Sequence, residues 1–204
     1  MNVLAIGAHP DDIEFGCGGS LIKFSKKKVN IFFLILTKGE VGARPYIRET
    51  EQRKAAKFIK AKKIFWGGFS DTHIPTNKKL IDVIENAMLA AKPDIIFFNY
   101  FDDIHQDHRA IAQGAISATR YCKNVLMYEV PTTQNFEPEI FVDIGPHLRD
   151  KLKLLSIFVS QLTKTRVKNL TISESAKSCA NFRGFQGRVK YAEGFKALRL
   201  SLEI

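Results

Sequence analysis

The segment Gly7-Ala8-His9-Pro10-Asp11-Asp12-Ile13-Glu14 places a histidine and two adjacent aspartates directly after a short apolar run at residues 3–6. Imidazole nitrogen and carboxylate oxygen are both good Zn²⁺ ligands. Adjacent residues in a turn project differently, so one aspartate can hold a metal while its neighbour faces a bound water. Pro10 disfavours helical backbone at the residue before it and keeps the turn open. Taken alone, the segment also fits a polar turn whose aspartate caps the following helix. A second segment, Asp102-Asp103-Ile104-His105-Gln106-Asp107-His108, follows another apolar run at residues 95–98 and tips the balance. Together the two turns supply His9, Asp12 and one or both of His105 and His108. Three protein ligands with an open fourth position is the composition of a catalytic zinc site rather than a structural one. Of the five histidines in the chain, three lie in these two turns.

Whether the turns meet depends on the elements that carry them. Further short apolar runs lie at 31–36, 64–66, 125–128 and 140–144, and continuous rather than alternating runs suit strands covered on both faces. Between them lie amphipathic stretches of helical period at 18–27, 48–60, 80–91 and 108–120. A further helix is expected at 146–161, and Thr171 with Glu174 has capping-box spacing at the start of another. Alternating strand and helix predicts an α/β fold: a Rossmann-like three-layer sandwich around a mostly parallel central sheet. Such sheets bind ligands outside the carboxyl ends of their strands, where both turns fall. The tail from 183 to 195 reads as glycines with a short amphipathic piece. No linker divides the chain, so residues 1–204 form a single domain. The run Gly16-Cys17-Gly18-Gly19 lacks the GxGxxG spacing of a phosphate loop and is expected to let a helix start pack closely.

Bulk composition narrows the classes further. The 204 residues are 45% hydrophobic with 16 Phe, enough for a substantial core. The net charge of +10 could attract nucleic acid, an anionic surface or a phosphorylated substrate. Clusters such as Lys26, Lys27, Lys28 and Lys62, Lys63 read as solvated faces, and no RNA- or DNA-binding signature is present, so no nucleic-acid partner is expected. The odd count of three cysteines fits a reducing compartment. No apolar run approaches the ~20 residues that span a bilayer, and no basic n-region precedes the first apolar run. The expectation is a cytoplasmic protein without an integral membrane segment. Its Phe and Ile content is explained by core burial and equally by a homo-oligomer interface.

In these motifs the chain resembles the LmbE-like or PIG-L-type N-deacetylase family. The resemblance rests on Ala8-His9-Pro10-Asp11-Asp12 and His105-Gln106-Asp107-His108, with Thr37-Lys38-Gly39-Glu40, Arg48 and Glu51 before Ala55, Ser160-Gln161, and Tyr191-Ala192-Glu193-Gly194-Phe195 in the same order. Gln106 stands where many relatives have proline. The resemblance implies a hydrolase, dependent on zinc or another divalent transition metal, that removes an N-acetyl group from an amino sugar, free or linked to a nucleotide, lipid or thiol carrier. His9, Asp12 and His108 would hold the metal and Asp11 would be the general base. His105 would stabilise the oxyanion or donate a proton, with Asp107 orienting it and raising its pKa. Arg48 and Arg44, suited to phosphate or hydroxyl contact, and Asp71, by resemblance a sugar-hydroxyl contact, are the expected substrate-binding residues. The alternatives are hydrolysis of another N-acyl compound, such as a thiol conjugate, and a non-catalytic nucleotide- or sugar-binding module.

Overall fold

In a computed structural model that describes residues 1–201, seven strands form one sheet in the order β3-β2-β1-β4-β5-β7-β6. These are β1 (Asn2–Gly7), β2 (Asn30–Ile35), β3 (Lys63–Trp66), β4 (Ile95–Asn99), β5 (Val125–Tyr128), β6 (Ile140–Asp143) and β7 (Ala192–Arg199). The first five are mutually parallel, whereas β7 runs antiparallel to both β5 and β6. The intervening helices are α1 (Asp12–Lys26), α2 (Pro45–Ile59), α3 (Lys78–Ala91), α4 (Gln106–Ala118), α5 (Leu148–Leu155) and α6 (Ile172–Gln186).

Strand alternation splits the core in two. Val3 and Ala5 of β1 join Ile13, Leu21, Ala55 and Leu154 on the face covered by α1, α2 and α5. Leu4 and Ile6 join Leu80, Ile84, Ile111 and Ala115 on the face covered by α3 and α4. Both faces of β1 are therefore dry, which is why its run is continuously apolar. The expected α/β sandwich is the observed fold.

Three local expectations are corrected. The helix expected at 18–27 begins at Asp12 and runs through the glycines, because the protein packs against them: a Cβ on Gly16 would overlap the Tyr128 ring. The helix expected at 146–161 is a single 3-10 turn at Gly145–His147 followed by α5, which ends at Leu155. The tail is a long helix and an eight-residue strand inserted between β5 and β6. Its Gly184 and Gly194 approach Lys190 backbone and Pro138 so closely that a Cβ would fall within 2.6 and 2.9 Å, so these glycines permit close packing. Thr171 does form the capping box with Glu174 that starts α6.

β1 and β4 are neighbours, and the chain leaves them toward opposite faces of the sheet, into α1 and α4. That is the topological switch point of an open parallel sheet, where a crevice opens at the carboxyl edge. His9 follows β1 and His105 and His108 follow β4, so the strand order brings the two turns together.

Candidate active site

The backbone turns into α1 at Asp11, which takes φ +99, uncommon for a residue with a side chain and the kind of strain that concentrates at functional positions. Asp11 makes no side-chain cap on α1, so the capping account of this turn does not apply to it. Asp12 Oδ2 instead accepts the His9 amide at 2.9 Å. The same oxygen lies 3.5 Å from His9 Nδ1 and 3.3 Å from His108 Nε2. His9, Asp12 and His108 are all buried and offer ligand atoms within 4.8 Å of one another. His108 Nε2 is buried without a hydrogen bond. An orphaned imidazole nitrogen facing a carboxylate is what a divalent ion would satisfy, so this donor set fits a metal.

Each imidazole is held from behind. His108 Nδ1 lies 3.2 Å from the buried Asp103 carboxylate and 3.3 Å from Thr132 Oγ1. His9 Nε2 lies 2.9 Å from Asp71 Oδ1 and 3.2 Å from Asp107 Oδ2. Burial alone would depress both imidazoles, but their carboxylate neighbours outweigh it. His108 is raised to about 9, chiefly by Asp12 and Asp103, and His9 stands well above its ordinary value through Asp107, Asp12 and Asp71. Burial would raise Asp12, yet the two imidazoles hold it well below the usual carboxylate range. A ligating cation would replace those protons.

Asp11 lines the cavity beside this group. Arg48, itself buried, reaches it with Nη1 3.3 Å from Asp11 Oδ2, while Nη2 donates to Pro10 O at 2.7 Å. Burial raises the Asp11 carboxyl, Arg48 opposes that, and the net shift is upward. The Arg48 guanidinium packs on Gly39, which turns at φ +64 and leaves no room for a Cβ. Arg48 thus serves the Asp11 turn as well as lining the cavity. Arg44 is exposed at the start of α2, makes no cap and is not among the cavity residues, so the structure does not bring it to the site.

His105 is half-buried at the start of α4, and its Nδ1 accepts the Asp107 amide at 3.2 Å. Burial, with the nearby His108 and His9 charges, lowers its pKa; Asp107 pulls the other way but is outweighed. The expected orientation of His105 by the Asp107 carboxylate is therefore corrected. That carboxylate takes the Thr72 amide at 2.7 Å and faces His9, while only the Asp107 backbone meets His105. Asp71 lines the cavity, but Oδ2 accepts Val41 N at 2.9 Å and Oδ1 meets His9. Both of its oxygens are already engaged.

His9, Asp71 and His105 form a second cluster with metal-like spacing. Its chemistry favours hydrogen bonding. Carboxylates surround His9 Nε2, which makes that nitrogen a donor, and the occupied Nδ1 of neutral His105 leaves the proton on Nε2.

The cavity measures about 870 Å³, toward the upper end of the range for small-molecule sites. Gln161, Lys164, Val167, Leu170 and Ile172 also line it. Apolar periodicity places the first of these in a helix, and nothing in the sequence pattern marks the others as site residues. Also unmarked are Asp103 and Glu129, a rim residue after β5 held bidentately by Arg183. Only the pairing of Asp103 with Asp102 in an acidic turn hinted at the former.

Fold and rim together define an α/β protein with a metal-type donor set at the switch point of its sheet. Comparison with known proteins makes this specific. Residues 4–119 match the family described as PIG-L: GlcNAc-PI de-N-acetylase, and the chain belongs to that family of deacetylases. It is 36% identical over 150 residues to the uncharacterized deacetylase YaiS of Escherichia coli K12, covering 70% of this chain and 81% of that protein. It is 25% identical over 222 residues to diacetylchitobiose deacetylase of Thermococcus kodakarensis, covering 95% and 82% respectively. Among solved structures, the conserved protein TT1542 of Thermus thermophilus superposes with a TM-score of 0.89 at 24% identity, covering 100% of this chain and 97% of that one.

Proposed function

We propose that this protein is a zinc-dependent hydrolase that removes the N-acetyl group from an amino sugar. The observation that carries the reading is the convergence of His9, Asp12 and the orphaned His108 Nε2 beside Asp11 in the lining of a cavity of about 870 Å³. The relative named for diacetylchitobiose supports an N-acetylated sugar as substrate. A cavity this large has room for more than one sugar ring, which supports a substrate joined to a second sugar or a carrier. Two imidazoles and a carboxylate suit Zn²⁺.

The residues divide the work as follows. His9, Asp12 and His108 would hold the ion, which when bound polarises the amide carbonyl and acidifies water. Asp11, pinned at Oδ2 by Arg48, has no hydrogen bond to Oδ1 among the described residues. That oxygen is available to take the proton of the attacking water. Neutral His105 carries its proton on Nε2 and donates it as a hydrogen bond to the oxyanion that forms on the acetyl carbon. Collapse breaks the C–N bond and releases acetate. Asp11 returns its proton to the departing sugar amine, since His105 must keep its own to remain a donor. The three cysteines are all unpaired, which supports a reducing compartment such as the cytoplasm. No helix among the described residues is long and apolar enough to cross a membrane.

The test is release of free amine from a panel of N-acetylated amino sugars and their glycosides by the zinc-loaded protein beside Asp11→Asn. The expected result is turnover by the parent and a loss of roughly 10²–10⁴-fold in the variant, with zinc retained. Near-parental turnover by Asp11→Asn overturns the assignment of the base. Zinc bound without amine release from any member overturns the amino-sugar substrate.

A further inference from the structure

We propose that Asp71 and Asp107 are positioning residues that act together through the ring of His9, rather than on the sugar or on His105. This rests on the reading of His9 as a metal ligand. His9 Nε2 has one proton to donate and two buried carboxylates within reach, Asp71 Oδ1 at 2.9 Å and Asp107 Oδ2 at 3.2 Å. Anchoring Nε2–H between them fixes the tautomer and leaves the Nδ1 lone pair beside Asp12 Oδ2. A carboxylate behind a ligating imidazole sets its orientation and raises its basicity.

The second carboxylate is explained by what else each aspartate grips. Asp71 Oδ2 accepts the Val41 amide at 2.9 Å, and the Asp71 amide donates to Glu40 Oε1 at 2.9 Å. Asp107 accepts the amides of Thr72 at 2.7 Å and Ile74 at 3.4 Å. The segments after β1, β3 and β4 therefore meet at one imidazole nitrogen, and the loop after β2 braces Asp71 behind it. Thr72 takes φ +66, a left-handed conformation held in place by its bond to Asp107. Among the described residues neither side chain hydrogen-bonds His105, whose hydrogen bond to Asp107 comes from a backbone amide that substitution leaves intact.

The experiment measures Zn²⁺ affinity by chelator competition in Asp71→Asn, Asp107→Asn and Asp107→Ala, with His108→Ala as a ligand control. It also records the visible spectrum of each Co²⁺-loaded protein and the unfolding temperature of each metal-free protein. The expected result is a 10–100-fold loss of Zn²⁺ affinity in each aspartate variant, smaller for Asp107→Asn, which keeps an acceptor, than for Asp107→Ala. The Co²⁺ spectrum should change, because the His9 ring is released, whereas a role confined to bracing loops would move only the unfolding temperature. Zinc-saturated Asp71→Asn should lose kcat with KM unchanged. Parental Zn²⁺ affinity with a raised KM in Asp71→Asn overturns the proposal for that residue. Parental affinity and spectrum in both Asp107 variants overturns it for the other. If His108→Ala loses the metal while all the aspartate variants keep it, the clamp fails and the metal reading stands. If His108→Ala binds as the parent does, both fail.

Discussion

Glu193 offers the sharpest test of how the rim is held up. Its carboxylate is buried against the middle of α1, where Oε1 accepts the Gly19 amide and Oε2 the Ser20 amide, each at 2.7 Å. Ser20 Oγ donates to Oε2 and Lys151 Nζ to Oε1, both at 2.6 Å. Lys151 also donates to Phe15 O at 2.5 Å, and the paired side chains are 4% and 3% exposed. Glu193→Ala strips the acceptor from four donors and leaves a buried ammonium without its counter-charge. Breaking such a pair costs about 3–5 kcal/mol. A chain of this length loses roughly 2–4 °C per kcal/mol, so the unfolding midpoint should fall by about 6–20 °C. The assay is calorimetric unfolding of parent, Glu193→Ala, Lys151→Met and the double variant. Because the cost of the single change is dominated by the stranded charge, the double variant should be less destabilised than the sum of the singles by at least 1 kcal/mol or so. A midpoint shift below about 2 °C for Glu193→Ala, or strictly additive losses, would refute the reasoning.

Other outcomes follow from the same packing and charges. Gly16→Ala should destabilise by about 1–3 kcal/mol in denaturant unfolding, because the new methyl would overlap the Tyr128 ring. That ring is tethered by its hydroxyl to Ile6 O at 2.7 Å and cannot swing aside. Zinc at about a thousand times its dissociation constant should stabilise the protein by about 4.1 kcal/mol. At roughly 2–4 °C per kcal/mol that is about 8–16 °C in a thermal-shift assay, and His108→Ala should abolish it. Thiol labelling near neutral pH should find Cys122 the most reactive cysteine. Burial holds the Cys17 thiol far above its ordinary value and, with Glu129 adding, pushes Cys179 to about 12; mass mapping that finds Cys179 modified first would contradict this.

Much of the fold was legible in the sequence because strands buried on both faces write continuous apolar runs, and β1, β2, β4 and β5 were read from such runs. β7 escaped because its glycine and charged residues, Glu193 and Lys196, break that pattern; its partners are Lys151 and Glu139, which lie far away along the chain. The helix expected at 146–161 illustrates the converse failure. Apolar spacing continues past Leu155, yet Phe158 is spent on the core and Ser160 is drawn by hydrogen bonds to Glu51, so the chain leaves the helix and becomes the cavity wall.

What the sequence determined by itself was chemistry and neighbourhood: the residue types of the two turns, their place at strand ends, and a donor set of metal-binding kind. Which partner each carboxylate serves was decided only by the tertiary structure. Asp107 sits two residues from His105 along α4 but meets His9, 98 residues away, and Asp103 rather than any neighbour in its own helix backs His108. The physical reason is that periodicity reports which face of an element is buried, whereas a side chain's partner depends on which strands lie side by side. Placing β4 next to β1, and β2 next to β1 on its other side, is what gathers the segments after β2, β3 and β4 around one imidazole.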